Sequence, residues 1–254
     1  MEKEYKARNF MKKAAMFFLF LFILILPSPV FAQRKVPILI YHSIDEFKGK
    51  GSKELYVTPK NFEKQMIYLR EHGYTLLTFD RWQDINKVHK PIFITFDDGY
   101  KNNLNAFAIF QKLKNERFQP TGTFFVISDF IGRPSRLTQS DLKMAADSGI
   151  ISIQSHTATH PDLTKIKNYE YELKESKDKI EKITGKPVIA LAYPYGNSNK
   201  KVVEETKKYY LYGLTTTPES FSGKGIKDEL YLLPRIYIKN STTLDDFAKI
   251  VNEE

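Results

Sequence analysis

The chain contains no cysteine, which rules out disulfides, thiolate metal ligands and lipid attachment through an N-terminal cysteine. The fold must therefore stand on its apolar core alone. Histidine is scarce, with five in 254 residues, and tryptophan occurs once. No internal repeat, low-complexity tract or Pro/Ser linker divides residues 33–254, so a solenoid or a string of small modules is excluded. Long apolar runs are absent too, with one exception at the start. Lys3, Lys6, Arg8, Lys12 and Lys13 precede an unbroken apolar stretch from Ala14 to Leu26, followed by Pro27-Ser28-Pro29 and Val30-Phe31-Ala32. That order is the pattern of a secretory signal peptide, with cleavage expected after Ala32. An uncleaved membrane attachment through residues 14–26 is the competing reading, and the prolines weigh against it. Residues 1–32 are thus expected to be a signal peptide or N-terminal membrane segment, and residues 33–254 one catalytic domain. The destination is outside the cell: secreted, or held at a bacterial cell surface or wall.

Acidic residues are in deficit. The full chain carries +9, and residues 33–254 retain 34 basic against 28 acidic side chains, a net +6. A basic exported protein is drawn to polyanionic surfaces such as wall polymers. Nucleic acid is not expected as a partner, because the lysines are scattered over helical stretches rather than clustered. No motif marks an oligomer interface, so a monomer is expected.

Within residues 33–254 short apolar runs alternate with amphipathic stretches. Strands are expected at Val36–Tyr41, Leu76–Leu77, Pro91–Phe96, Thr121–Ile127, Ile150–Gln154, Val188–Ala192, Leu211–Thr215 and Tyr231–Ile238. Helices are expected from Thr58-Pro59 to near Gly73, through Leu104–Leu113, and over 140–147, 169–183, 199–209 and 243–251. Repeated alternation without hairpin signals predicts an α/β fold, a distorted (β/α) barrel of about seven parallel strands. Strand ends at one rim would then bring together His42, Asp97-Asp98, His156 and His160, Tyr193-Pro194-Tyr195-Gly196, and Arg235. Ser43 to Val57 reads as a long rim loop.

Two of these segments carry the chemistry. Thr95-Phe96-Asp97-Asp98-Gly99 ends one strand, and His156-Thr157-Ala158-Thr159-His160 follows another. Two imidazoles and one carboxylate form a three-ligand site for a divalent metal with a position left open. The spare carboxylate can serve as a general base on water. Side chains alternate along a strand, so both aspartates reach one place only if the strand end turns; Gly99 permits this.

The two motifs, in this order, resemble those of the polysaccharide deacetylases of carbohydrate esterase family 4, with Ala192-Tyr193-Pro194-Tyr195-Gly196 similar to the third motif. The resemblance spans roughly residues 36–238. It implies removal of acetyl groups from acetylated sugars, with zinc first among the metals and cobalt, nickel or iron as alternatives. By the same resemblance Asp98, His156 and His160 hold the metal and Asp97 is the base on the attacking water. Tyr195, through its backbone N–H, with Tyr193 and Leu233, forms the oxyanion and substrate side. Two positions depart from the family pattern. Ala192 stands where the third motif usually has Arg, and Leu233-Pro234-Arg235 ends in Arg where the last motif usually has the acid His. The first and last strands of a barrel are neighbours, so His42 is expected to take the acid role and Arg235 to supply the charge beside Asp97. A subset that includes exopolysaccharide deacetylases shares the Tyr-His after the first strand. The expected substrates are acetylated cell-wall or matrix polysaccharides, peptidoglycan or poly-N-acetylglucosamine. A catalytically weak, metal-containing carbohydrate-binding protein and a non-haem iron oxygenase are the rival readings.

Overall fold

The computed structural model describes residues 35–252 together with the isolated Met1 and Glu4. The expected signal peptide or membrane segment over 1–32 otherwise lies outside the described residues. No helix among the described residues is long and apolar enough to cross a membrane.

Ten strands form among the described residues: β1 Ile38–Tyr41, β2 Ser43–Ile44, β3 Tyr56–Val57, β4 Thr75–Leu77, β5 Pro91–Phe96, β6 Gly122–Val126, β7 Ile151–Ser155, β8 Ala190–Ala192, β9 Tyr212–Leu214 and β10 Ile236–Tyr237. Eight share one sheet in the order β10-β1-β5-β6-β7-β8-β9, with β4 paired to β5, and every pairing is parallel. The remaining two, β2 and β3, pair with each other. The segment expected as a loop over 43–57 is thus tied down at both ends. A parallel bridge from Leu214 to Leu233 and the Arg235 N–H donating to the Thr217 carbonyl at 3.0 Å carry the β10 strip up to β9. The sheet thereby curls back on itself as a distorted (β/α) barrel.

The strand faces sort the core into two layers. Leu39, Tyr41, Ile92, Ile94, Phe96, Phe124, Ile153 and Leu191 face the helices, while Ile38, Phe93, Phe125, Ala190, Ala192 and Leu214 fill the barrel interior. This is the two-residue alternation of a strand buried on both sides. Trp82 joins the interior layer, with Phe79, Phe93, Tyr212 and Phe221 around its ring. Gln154 faces inward and accepts the N–H groups of Ile189 and Ala190 at 2.7 and 2.8 Å, which fixes β8 against β7.

Helix starts follow local capping. Thr58 accepts the Asn61 N–H ahead of the helix Pro59–Glu71, and Thr138 forms a reciprocal capping box with Asp141 ahead of Gln139–Asp147. Two expected elements change form. The helix expected over 169–183 opens as a wide π turn at Glu170–Glu175 before the regular helix Ser176–Thr184, which Gly185 ends at φ 69°. The strand expected over 231–238 shrinks to Ile236–Tyr237, because Glu229–Tyr231 coils into a tight turn and Pro234 has no N–H for a ladder.

Candidate active site and metal centre

Asp97 follows β5 in the same alternation as Phe93 and Thr95, so it points into the barrel mouth and is buried. Asp98 would point the other way in extended backbone. It instead takes φ 71°, with Gly99 at φ 63°, and the chain reverses there. The turn expected at Gly99 therefore begins one residue earlier. Thr157, His160 and Tyr195 are also left-handed, so four of the seven non-glycine residues with positive φ among the described residues belong to this rim. Such backbone costs about 1–3 kcal/mol per residue and persists only where its surroundings impose it.

Those surroundings are visible. Arg136 Nη1 donates to the Asp98 carbonyl at 2.6 Å. The Thr157 hydroxyl accepts the His160 N–H at 2.9 Å, and Ser128 and Asp129 donate their N–H groups to the carbonyls of Thr157 and Ala158. Glu172, carried in by the wide turn, is buried beneath the His156–His160 loop. Its carboxylate accepts the Thr159 N–H at 2.9 Å and hydroxyl at 2.6 Å, and its carbonyl accepts the Ala158 N–H.

One donor atom each from Asp98, His156 and His160 lies within 4.8 Å of the others. His156 Nε2 and His160 Nε2 stand 3.7 and 3.6 Å from Asp98 Oδ1. Those separations approach the roughly 3.4 Å edge of a tetrahedron built on metal bonds of about 2.0–2.1 Å. His156 Nδ1 bonds the Ala192 carbonyl at 2.7 Å, which leaves Nε2 as its free lone pair. Burial, followed by the neighbouring His156, pushes His160 down to about 4, so its imidazole is neutral near pH 7. The donor set fits a divalent cation.

Arg235 closes on Asp97 from the opposite side of the mouth. Nη1 and Nη2 donate to the two carboxylate oxygens at 2.8 Å each, Nε donates to the Thr215 carbonyl at 3.0 Å, and Nη1 also reaches Thr95 Oγ1 at 3.2 Å. Burial alone would raise the Asp97 carboxyl. The Arg235 charge, then His156, the Arg235 hydrogen bonds and His42 outweigh it and hold the group far below the usual carboxylate range. Ala192 thus gives its carbonyl to His156, while the guanidinium arrives from the last strand strip.

His42 follows β1 and is half-buried. Its ring stacks on Tyr237, whose hydroxyl shares a 3.0 Å hydrogen bond with Nδ1. Burial lowers its pKa, against the pull of Asp97 and Asp98. Tyr195 is exposed and sets its ring edge-on to His160 at 4.8 Å. Among the described residues its N–H has no hydrogen-bond partner.

Tyr193 and Leu233 do not join these groups as side chains. Tyr193 falls on the helix-facing side of β8, and its hydroxyl donates to the Tyr231 carbonyl at 2.9 Å. Leu233 is buried in the barrel interior with Phe93, Phe125 and Leu214. Glu172, Tyr237 and Arg136 are the groups that sequence reasoning missed. Glu172 falls in the helix expected over 169–183 and Tyr237 in the strand expected over 231–238, while Arg136 lies outside every expected element. The only signal was Glu172's place between Tyr169 and Leu173 on an otherwise apolar stripe.

The sequence profile of the polysaccharide deacetylase family matches residues 84–214, half the chain. The chain belongs to that family. Among polysaccharide deacetylase relatives, YxkH of Bacillus subtilis is 32% identical over 214 residues, which is 80% of this chain and 71% of that one. The crystal structure of BC0361, a polysaccharide deacetylase from Bacillus cereus, is similar at TM-score 0.85 and 56% identity, covering 86% of this chain and 69% of that chain. The poly-beta-1,6-N-acetyl-D-glucosamine N-deacetylase of Staphylococcus epidermidis is 27% identical over 227 residues, 80% of this chain and 74% of its own.

Proposed function

We propose that this polysaccharide deacetylase is an exported, metal-dependent amidohydrolase that removes N-acetyl groups from N-acetylglucosamine-containing wall or matrix polysaccharide. The observation that carries this reading is an imidazole pair and Asp98 converging beside a separately buried, arginine-clamped carboxylate, Asp97. One carboxylate is left for ligation and one for proton transfer.

Asp98, His156 and His160 would hold the cation, with zinc best suited to two imidazoles and a carboxylate. Bound there, it supplies Lewis acidity to the acetyl carbonyl and to the attacking water. Asp97 Oδ2, 3.9 Å from His156 Nε2, receives the proton of that water while Arg235 keeps the carboxylate aimed. The Tyr195 N–H donates to the oxygen that gains charge as the carbonyl carbon becomes tetrahedral. His42 hands a proton to the departing sugar nitrogen, with Tyr237 fixing its ring. The C–N bond breaks, and acetate and a free amine leave.

The test is acetate release from N-acetylglucosamine oligomers by residues 33–254, stripped of metal and reloaded with Zn²⁺ or Co²⁺. Metal-restored release that disappears in Asp97→Asn is expected. Tight metal binding without release from any acetylated glycan would leave the binding-protein reading instead.

A further inference from the structure

The ladder between β1 and β5 ends at Tyr41 and Phe96, closed by the Asp97 N–H on the Tyr41 carbonyl at 3.0 Å. Beyond it the chain that carries His42 leaves the main sheet, and two asparagine side chains hold its carbonyls. Asn103 Nδ2 donates to the His42 carbonyl at 2.5 Å, and Asn105 Nδ2 donates to the Ile44 carbonyl at 2.8 Å. Both come from the first turn of the helix Asn103–Leu113, the helix that follows Asp97 and Asp98. Its start is fixed to their turn by the Asn103 N–H on the Tyr100 carbonyl at 3.0 Å and the Leu104 N–H on the Lys101 carbonyl at 3.2 Å.

The Asn103 side chain is fully buried. Among the described residues its only hydrogen bond runs to His42, and its Oδ1 has no partner. A buried acceptor left unpaired costs about 1–3 kcal/mol, which an apolar side chain of similar size would avoid. What such a side chain could not supply is the donor to His42. The His42 ring has a second anchor in Tyr237, stacked at 5.1 Å and bonded to Nδ1, which leaves Nε2 to face a substrate.

We infer that Asn103 is a positioning residue: by gripping the His42 carbonyl from the helix that follows Asp97, it sets the acid at a fixed distance from the base. Amide cleavage needs a proton on the departing nitrogen, and an acid displaced by about 1 Å can lose about 10²-fold in rate. The inference rests on the deacetylase reading with His42 as its acid, and adds the residue that holds that acid in place.

The test pairs two substrates on zinc-loaded protein. N-acetylglucosamine oligomers have an amine that needs a proton to leave, whereas 4-nitrophenyl acetate has a phenolate that leaves without one. His42→Ala is expected to lose amide turnover and keep ester turnover. Asn103→Leu is expected to follow it, with kcat on the amide at least about tenfold lower and ester turnover within about twofold of wild type. Its KM and zinc affinity should change little. If Asn103→Leu does not fold, Asn103→Ala carries the same comparison. Amide turnover near wild type in a folded Asn103 variant overturns the inference. So does an equal loss on both substrates, which marks general damage to the mouth. If His42→Ala itself shows no selective loss, the acid reading has failed and the inference falls with it. If no glycan releases acetate from the wild type, the deacetylase reading fails on its own. The His42 ring signals in NMR spectra then decide: Asn103→Leu is expected to move them, and unmoved signals overturn the inference.

Discussion

Asp97 depends on Arg235 more than on any other neighbour for its charge. Arg235→Gln removes a bidentate partner from a buried carboxylate, a change that costs about 3–5 kcal/mol in comparable buried pairs. A lower denaturation midpoint and near-complete loss of acetate release are expected, and Arg235→Lys should retain more stability than activity because its point charge cannot hold both oxygens. Unchanged melting in Arg235→Gln would refute the clamp. The pH dependence has a definite sign. Asp97 is depressed in the folded chain, so its stabilisation is complete above its ordinary value of 3.8 and is lost as the pH falls further through the folded value. His160 is depressed from 6.5 to about 4, so the unfolded chain binds its proton first, and metal-free protein loses stability between those values on acidification. An NMR titration of the His160 ring in metal-free protein should give a midpoint near 4; a midpoint near 6.5 would dismiss the buried environment. Asp97, Asp98, His156 and His160 were legible because strand ends concentrate chemistry and their spacing is uncommon. Tyr237 was not, since a tyrosine in a strand looks the same whether it meets a core or a histidine.

At the scale of elements, the wide turn at Glu170–Glu175 is what brings Glu172 beneath the imidazole loop. Sequence periodicity read one continuous amphipathic helix there, because inserting a wide turn alters no residue type. Glu172→Ala is expected to weaken zinc affinity about tenfold or more through the loosened Thr157–His160 segment. A competition titration with a chelator measures it, and an unchanged affinity would confine Glu172 to folding. The third motif has a similar sensitivity. A Cβ at Gly196 would stand 2.7 Å from the Thr216 backbone nitrogen at φ 72°, so Gly196→Ala should displace the Tyr195 N–H and cut kcat more than it raises KM. Strand alternation explains Tyr193: two residues after Ala192's neighbour Leu191, it shares the helix-facing side. That parity was available from sequence. The residue's proximity to Tyr195 in the motif concealed it.

At the scale of the molecule, the strands of the main sheet and their parallel pairing followed from apolar runs alternating with capped helices, whereas the small β2–β3 pair did not. The closing strip did not, because Leu233 joins β9 through a lone bridge rather than a ladder. The net +6 of residues 33–254 predicts that turnover of anionic glycans falls with added salt while that of neutral oligomers changes little. Parallel kcat/KM measurements at low and physiological ionic strength check this.

The proposed ligands Asp98, His156 and His160 all precede residue 161, whereas the guanidinium that clamps Asp97 arrives at position 235. A chain emerging from its N-terminus therefore carries the three proposed ligand side chains long before the elements that orient them, Glu172 and Ala192, and the guanidinium on Asp97. A chain ending before residue 235 would thus keep all three proposed ligands and lack the clamp on Asp97.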